Sequence, residues 1–357
     1  LNQSNQINEK VKKVGVLLSG GVDSAVALYL LLKQGYNVTA YHMKTVKDEL
    51  YVTKQVKHKV CCSPSDTYDA QLIAKKLAVP FKIVHIEDSF KEKIIDYYIS
   101  ESVAGRTPNP CFFCNDYIKF GVVMDYALND GMDFVASGHY ARIIDGKLYK
   151  AIDKEKDQSY FLASIKKEKL EKILLPNGDF TKDEIRSIAH EVGIHVAKKI
   201  DSQDLCFVPD NDFKTFFEEH GVKIEPGNII TSEGKIIGKH SGLPFYTIGQ
   251  RKFGIATGSK LYVKAKNIEG NFIVVAPIEE IYSKDMVVEY VNYYEDLPNE
   301  FQATVKIRKK FNEIPCTVKK NGNELKVKFE TPTFAVTPGQ IAVFYKGDQV
   351  LCSGVIK

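Results

Sequence analysis

At 357 residues, with 44% hydrophobic and 26% charged side chains, the chain has the composition of a folded protein with room for two or three cores. No run of about 18 apolar residues occurs, so no membrane-spanning helix is expected, and a net charge of +4 permits nucleic-acid binding without demonstrating it. Seven cysteines, an odd number in so long a chain, point to thiol chemistry or a metal rather than a disulfide framework. Leu1 to Lys10 is polar and lacks the apolar core of a leader, which predicts a cytoplasmic protein.

In chain order, Val14 to Leu18 reads as a buried parallel strand, and Ala25 to Leu32 as a helix that Gly35 can end. Between them lies Ser19-Gly20-Gly21-Val22-Asp23-Ser24. Strand, paired glycines and helix make an anion cradle: backbone N–H groups approach phosphate unobstructed by Cβ atoms, and the helix N-terminus adds about half a positive charge. Ser19 and Ser24 add hydroxyls, while Asp23 would be repelled by bare phosphate, so it holds Mg²⁺ or fixes the loop. The string is neither a Walker A loop nor a dinucleotide fingerprint.

Val38 to Met43 predicts a second strand, Lys44 to Lys59 a long polar loop, and Ser65 or Asp66 the cap of a helix reaching Leu77. Phe81 to His85 is a third strand, Phe90 to Val103 a helix, Ile118 to Leu128 another, and Phe134 to Ser137 a fourth strand. This βαβα alternation predicts a doubly wound parallel sheet with its site at the strands' C-terminal ends, each motif falling after a strand or in a crossover loop. Gln158 to Gly193 reads as helical, with a Thr181/Glu184 capping box. Beyond about Val222, short alternating runs and an Asn321-Gly322 hairpin signal predict β structure. The expected division is an α/β domain over 1–208, a small β domain over 209–281 and a β-barrel over 282–357.

Taken singly, the remaining motifs are ambiguous. Cys111-Phe112-Phe113-Cys114 fits a metal half-site, a redox pair or coincidence, and spacing does not bring Cys206 near it. Lys156-Asp157-Gln158 fits a solvated helix start with Asp157 as cap, and His139 a structural histidine. Lys306-Ile307-Arg308-Lys309-Lys310, read as a strand, puts charge on one face for a phosphate backbone or a solvated edge.

The glycine string resembles the pyrophosphate loop of the N-type ATP pyrophosphatases. The ordered set SGGVDS, CCSPSD, GRTPNPxxxCN, SGHYARI, KDQSYFL, DSQDLCF, YTIGQRK and TPGQIAVFY is similar, from Val14 to about Ile356, to the bacterial tRNA-specific 2-thiouridylase family. The resemblance implies a sulfurtransferase: ATP adenylates the C2 oxygen of the wobble uridine, U34, protein-borne sulfur attacks, and AMP leaves. Residues 17–24 (Leu17, Leu18, Ser19, Gly20, Gly21, Val22, Asp23 and Ser24), Met43 and Gly138 would bind the nucleotide. Cys114 would be the nucleophile and Cys206 the persulfide carrier. Asn109 and Pro110 would approach the base, and His139, Lys156, Asp157, Gln158, Arg308 and Gln340 would contact tRNA. The implied partners are tRNA, with Lys, Glu and Gln isoacceptors as the expected set, and a sulfur donor such as a cysteine desulfurase or relay protein.

Two positions depart from the family pattern. Cys111 replaces an aspartate, exchanging a carboxylate for a thiol of pKa about 8.5, so that proton-transfer role does not carry over. Lys309 replaces a tyrosine, trading base stacking for phosphate charge. With Cys111, three thiols (Cys111, Cys114 and Cys206) can be imagined around a [4Fe-4S] cluster with one open iron, the favoured reading. A Cys206 persulfide, released with a disulfide to Cys114, is the competing one. Other functions weighed are an AMP-forming amide ligase, against which the cysteines and β domains argue, and a non-catalytic RNA-binding or iron–sulfur carrier, against which the complete SGGVDS argues.

Overall fold

The computed structural model describes residues 11–45, 64–198, 205–255 and 258–357. Cys61, Cys62, nearly all of the polar stretch after Lys44, and Asp201 to Asp204 lie outside the described residues.

Four strands form the first sheet as expected: β1 (Lys13–Leu17), β2 (Asn37–Lys44), β3 (Phe81–His85) and β4 (Phe134–Ser137). After a β5–β6 hairpin (Ala141–Ile144, Lys147–Lys150), a two-residue β7 (Ile173–Leu174) completes it, in the order β3-β2-β1-β4-β7 with every pairing parallel. Side chains alternate across it. Val14, Val16, Val38 and Ala40 enter one core beneath helices Val22–Lys33, Pro64–Lys76 and Lys182–Glu191, while Leu17, Tyr41, Val84 and Val135 enter another beneath the segments spanning 90–98 and 112–127. The sheet is doubly wound, and the order reverses at β1, where such folds open a ligand crevice.

Three local expectations need correction. The helix expected from Ile118 begins at Pro110: Asn109 caps it, its Oδ1 accepting from the Phe112 amide at 3.3 Å, and Pro110 supplies the preset φ of a first helical residue. It continues through a wide π-helical stretch, Cys114–Val123, so the two cysteines sit on a helix rather than in a crossover loop. Gln158 to Gly193 is not one helical run. Short helical turns flank β7, and the Thr181/Glu184 capping box then starts the Lys182–Glu191 helix as expected. Finally, β13 (Glu300–Lys306) ends at Lys306, and residues 307–311 form a bend with buried Ile307 as its anchor.

The middle sheet pairs β8 (Gly227–Thr231), β9 (Ile236–His240), β10 (Tyr262–Asn267) and β11 (Phe272–Ala276) in the order β10-β11-β8-β9. The last is a closed six-stranded barrel of β12 (Tyr282–Tyr293), β15 (Glu324–Phe334), β14 (Ile314–Asn321), β13, β16 (Ile341–Lys346) and β17 (Gln349–Ile356), sealed by β12 pairing with β17. The β5–β6 hairpin extends this barrel sheet although it arises inside the α/β region. Along β16, Ala342 and Phe344 fill the barrel while Ile341, Val343 and Tyr345 join the first domain's core. Burial on both faces is why that strand reads as an unbroken apolar run.

Candidate nucleotide and sulfur-transfer site

Leu17 pairs with Ser137, so the loops leaving β1 and β4 lie side by side at the sheet's C-terminal edge. Gly20 has φ +79°, and a Cβ there would strike the Asp66 carbonyl, so the N-terminus of the Pro64–Lys76 helix closes against the loop. Gly138 is held as tightly, since its Cβ would lie 2.5 Å from Asp23 backbone carbon and 2.6 Å from Ser24 nitrogen. Ser24 Oγ donates to the Gly21 carbonyl at 3.0 Å and lies 3.1 Å from Ser19 Oγ, so the two hydroxyls brace each other across the turn. Buried His42 donates from Nδ1 to the Leu18 carbonyl (2.8 Å), which leaves Nε2 to accept from Thr67 at 3.0 Å. Met43, half-buried at the end of β2, packs on the apolar layer below.

Asp23 is the most heavily engaged group. Its carboxylate accepts from Lys182 Nζ at 2.8 and 2.9 Å and from the Tyr140 hydroxyl at 2.7 Å. Its carbonyl accepts from Asn177 Nδ2 at 2.9 Å, and the same amide reaches the Gly138 carbonyl at 3.1 Å. Of the two roles expected for Asp23, bracing the loop is the one these contacts perform. Lys182, Asn177 and Lys119 were missed by sequence reasoning. The only hint was a lysine at the first position of a helix, where the dipole disfavours a cation.

His139 accepts at Nε2 from Lys119 Nζ (3.1 Å) and donates from Nδ1 to Ser137 Oγ (2.7 Å). Burial first, and the Lys119 charge second, hold its pKa well below the ordinary value, so the ring is neutral. Asp157 is buried rather than solvated. It accepts from the Ala151 and Ser159 amides and from the Ser159 hydroxyl, while burial pushes its pKa up against those bonds. Gln158 exchanges hydrogen bonds with the Tyr140 backbone at 2.7 and 2.9 Å. Lys156 is half-buried, and its charge, with those of Lys306 and Lys310, lowers the pKa of Lys309 after the larger effect of burial. Lys309 Nζ lies 5.3 Å from the Phe161 ring, whose backbone carbonyl accepts from Asn115, next to Cys114.

Arg308 is stitched into protein, donating to the Ile248 carbonyl (2.9 Å), the Ala335 carbonyl (3.3 Å) and Thr337 Oγ1 (2.6 Å). Gln340 donates to the Thr107 carbonyl at 2.8 Å, tying the loop before Asn109 and Pro110 to the barrel. Asn109 also lies near the buried Tyr160 hydroxyl, which donates to the Ile341 carbonyl at 2.9 Å, close to Arg308. The structure therefore gathers Asn109, Tyr160, Arg308 and Gln340 at the junction of the α/β domain and the barrel.

Cys111, Cys114 and Cys206 are each half-buried. Cys114 and Cys206 pack on one apolar cluster containing Phe90, Tyr98, Phe112 and Phe207. Among the described residues, no three His, Cys, Asp or Glu side chains converge to hold a metal. The three thiols therefore do not form a cluster cage in this arrangement.

A switch-point crevice with an SGGVDS phosphate loop, followed by two β domains, defines a HUP-type nucleotide-binding protein with appended barrels. Family models agree: residues 12–210 match the tRNA methyl transferase HUP domain, 214–277 the tRNA methyl transferase PRC-barrel domain, and 283–356 the Aminomethyltransferase beta-barrel domain. Proteins named tRNA-specific 2-thiouridylase MnmA are similar along their length. That of Fervidobacterium nodosum is 79% identical, that of Pseudothermotoga lettingae 57% and that of Thermotoga maritima 50%, each match covering 97% of this chain and 99% of the relative. The chain belongs to the tRNA-specific 2-thiouridylase family.

Proposed function

We propose that the protein is a tRNA sulfurtransferase that uses ATP to place sulfur at C2 of a uridine, at the wobble position of Lys, Glu and Gln isoacceptors. The observation that carries this reading is the pairing of a braced phosphate loop at the end of β1 with two thiols, Cys114 and Cys206, on one apolar cluster. The uridine C2 oxygen attacks the α-phosphate of magnesium-bound ATP, and pyrophosphate leaves from the Ser19–Ser24 cradle. Leu17, Leu18, Met43 and Gly138 line the nucleotide side. A persulfide on Cys206 then attacks C2 through its terminal sulfur, and AMP leaves with the former C2 oxygen. Cys114 attacks the inner sulfur, the S–S bond breaks, thiouridine is released, and a Cys114–Cys206 disulfide remains for an external thiol to reduce. A cysteine desulfurase or relay protein reloads Cys206. Asn109 and Pro110 face the base, and His139, Lys156 to Gln158, Arg308, Lys309 and Gln340 shape the RNA side. Cys111 serves neither as acid–base group nor as cluster ligand in this scheme.

The test is incubation of unmodified tRNA with the protein, ATP, reductant and a persulfide donor, followed by nucleoside mass spectrometry. 2-Thiouridine formed with matching AMP is the expected result. Methylated uridine, or AMP without a thionucleoside, would refute the reading.

A further inference from the structure

Four aromatic rings adjoin the cysteine helix without belonging to the chemistry above. Tyr97 meets Phe113 edge-on at 4.7 Å, and Phe113 stacks on Tyr117 at 5.7 Å with planes 19° apart. Tyr97 shares its helix with Glu101, which pairs with Arg106 at 2.7 Å, and Arg106 in turn pairs at 2.9 Å with Glu289, the neighbour of Tyr290. Tyr117 is 45% exposed and Tyr290 77%, and Lys93 Nζ stands 6.0 Å from the Tyr117 ring.

Tyr290 is displayed deliberately. It lies in β12 where the pairing with β17 slips between Glu289 and Asn292, and its φ is +53°, a conformation that costs a bulky residue. Gly354 permits the bulge, since a Cβ there would lie 2.7 Å from the Glu289 carbonyl. Both flanks are pinned. Glu289 accepts from Arg106 at 2.9 Å, and Asn292 donates to the Ala163 and Ile165 carbonyls at 3.2 and 2.9 Å. The fold thus holds a strained tyrosine outward, where folding itself gains little from the ring.

We infer that Tyr117, with Lys93 beside it, and Tyr290 form a stacking platform for an unpaired nucleobase of the tRNA substrate. This rests on the function proposed above. A uridine presented to ATP and to Cys114 must leave its stack, and the neighbouring bases then need a surface that accepts any π face. Phe113 immediately precedes Cys114, so the platform is continuous with the sulfur site, and Lys93 supplies charge for the backbone.

The chain contains no tryptophan, so Tyr117→Trp and Tyr290→Trp each give a single reporter. Unmodified tRNA should quench both. It should leave Tyr126→Trp unchanged, because Tyr126 is equally exposed but packs against Tyr41. Tyr117→Ala should weaken tRNA binding roughly five- to hundredfold, and Tyr117→Phe should restore it. Tyr290→Asn, which suits positive φ, should keep or raise Tm while weakening tRNA binding. Absence of quenching at 117 and 290 from a protein that still thiolates tRNA overturns the platform and leaves the face to a protein partner. Absence of thiolation by the unaltered protein overturns the function instead.

Discussion

Asp23 is held by Tyr140 and Lys182, 117 and 159 positions away in sequence, through bonds of 2.7 to 2.9 Å. Cys114 and Cys206 are half-buried against an apolar cluster, the first on a π-helical stretch and the second in a turn. The contrast follows from the chemistry. Phosphate transfer repeats one charge distribution each cycle, so a fixed cradle serves it. Sulfur must be loaded, delivered and reset, so the thiols that carry it change covalent partner in each cycle. The nucleotide half is prebuilt from long-range polar bonds, and the sulfur half is seated on apolar packing.

The largest effects should separate the two halves completely. Cys114→Ala or Cys206→Ala should abolish thiouridine formation and leave tRNA-dependent release of pyrophosphate intact. Cys111→Asp should retain thiolation without bound iron. Iron in the purified protein, lost together with activity in all three alanine variants, would restore the cluster and erase the contrast. On the other side, Asp23→Ala removes the carboxylate that pairs with buried Lys182, so stability should fall, and AMP formation should fall about a hundredfold or more. The double variant Asp23→Ala/Lys182→Met should lose less stability than the two single changes combined, as measured by denaturant midpoint.

Much of the prebuilt half was legible in the sequence. Loop, flanking strand and helix are contiguous, and local signals such as the Thr181/Glu184 box and Asn321-Gly322 turn specify their own geometry. Lys182 was not legible as the partner of Asp23, because nothing local records which residue a fold brings across 159 positions. The β5–β6 hairpin was missed for the same reason, since its partner strand β17 comes some 200 residues later. The placement of Cys111 and Cys114 on a helix was available in principle, for Asn109 followed by Pro110 is a helix-start signal. Two prolines in the approach read instead as a stiff loop.

Arg308 and Lys309 sharpen the comparison at the RNA side. Arg308 is bonded to the middle and last domains, so Arg308→Ala should lower Tm as well as tRNA affinity. Lys309 is solvent-accessible, with only its ammonium partly desolvated beside the Phe161 ring, so Lys309→Ala should change Tm little and reduce the salt slope of tRNA binding by about one. A smaller effect is expected at His139. Its folded pKa lies below the ordinary 6.5, so the folded state binds fewer protons than the unfolded. Its contribution to stability is complete above about pH 6.5 and is lost as pH falls from there toward the folded value. The unaltered protein should therefore lose more Tm between neutral and mildly acid pH than His139→Gln.

The division of labour is tested most directly by single-turnover transfer of label from α-phosphate-labelled ATP to unmodified tRNA, using a Cys114→Ala/Cys206→Ala double variant. Stoichiometric AMP should accumulate on the tRNA, with no thiouridine and no label on the protein. An unlabelled tRNA, from a double variant that still binds both substrates, would contradict the account, because adenylation would then depend on the thiols it assigns to sulfur alone.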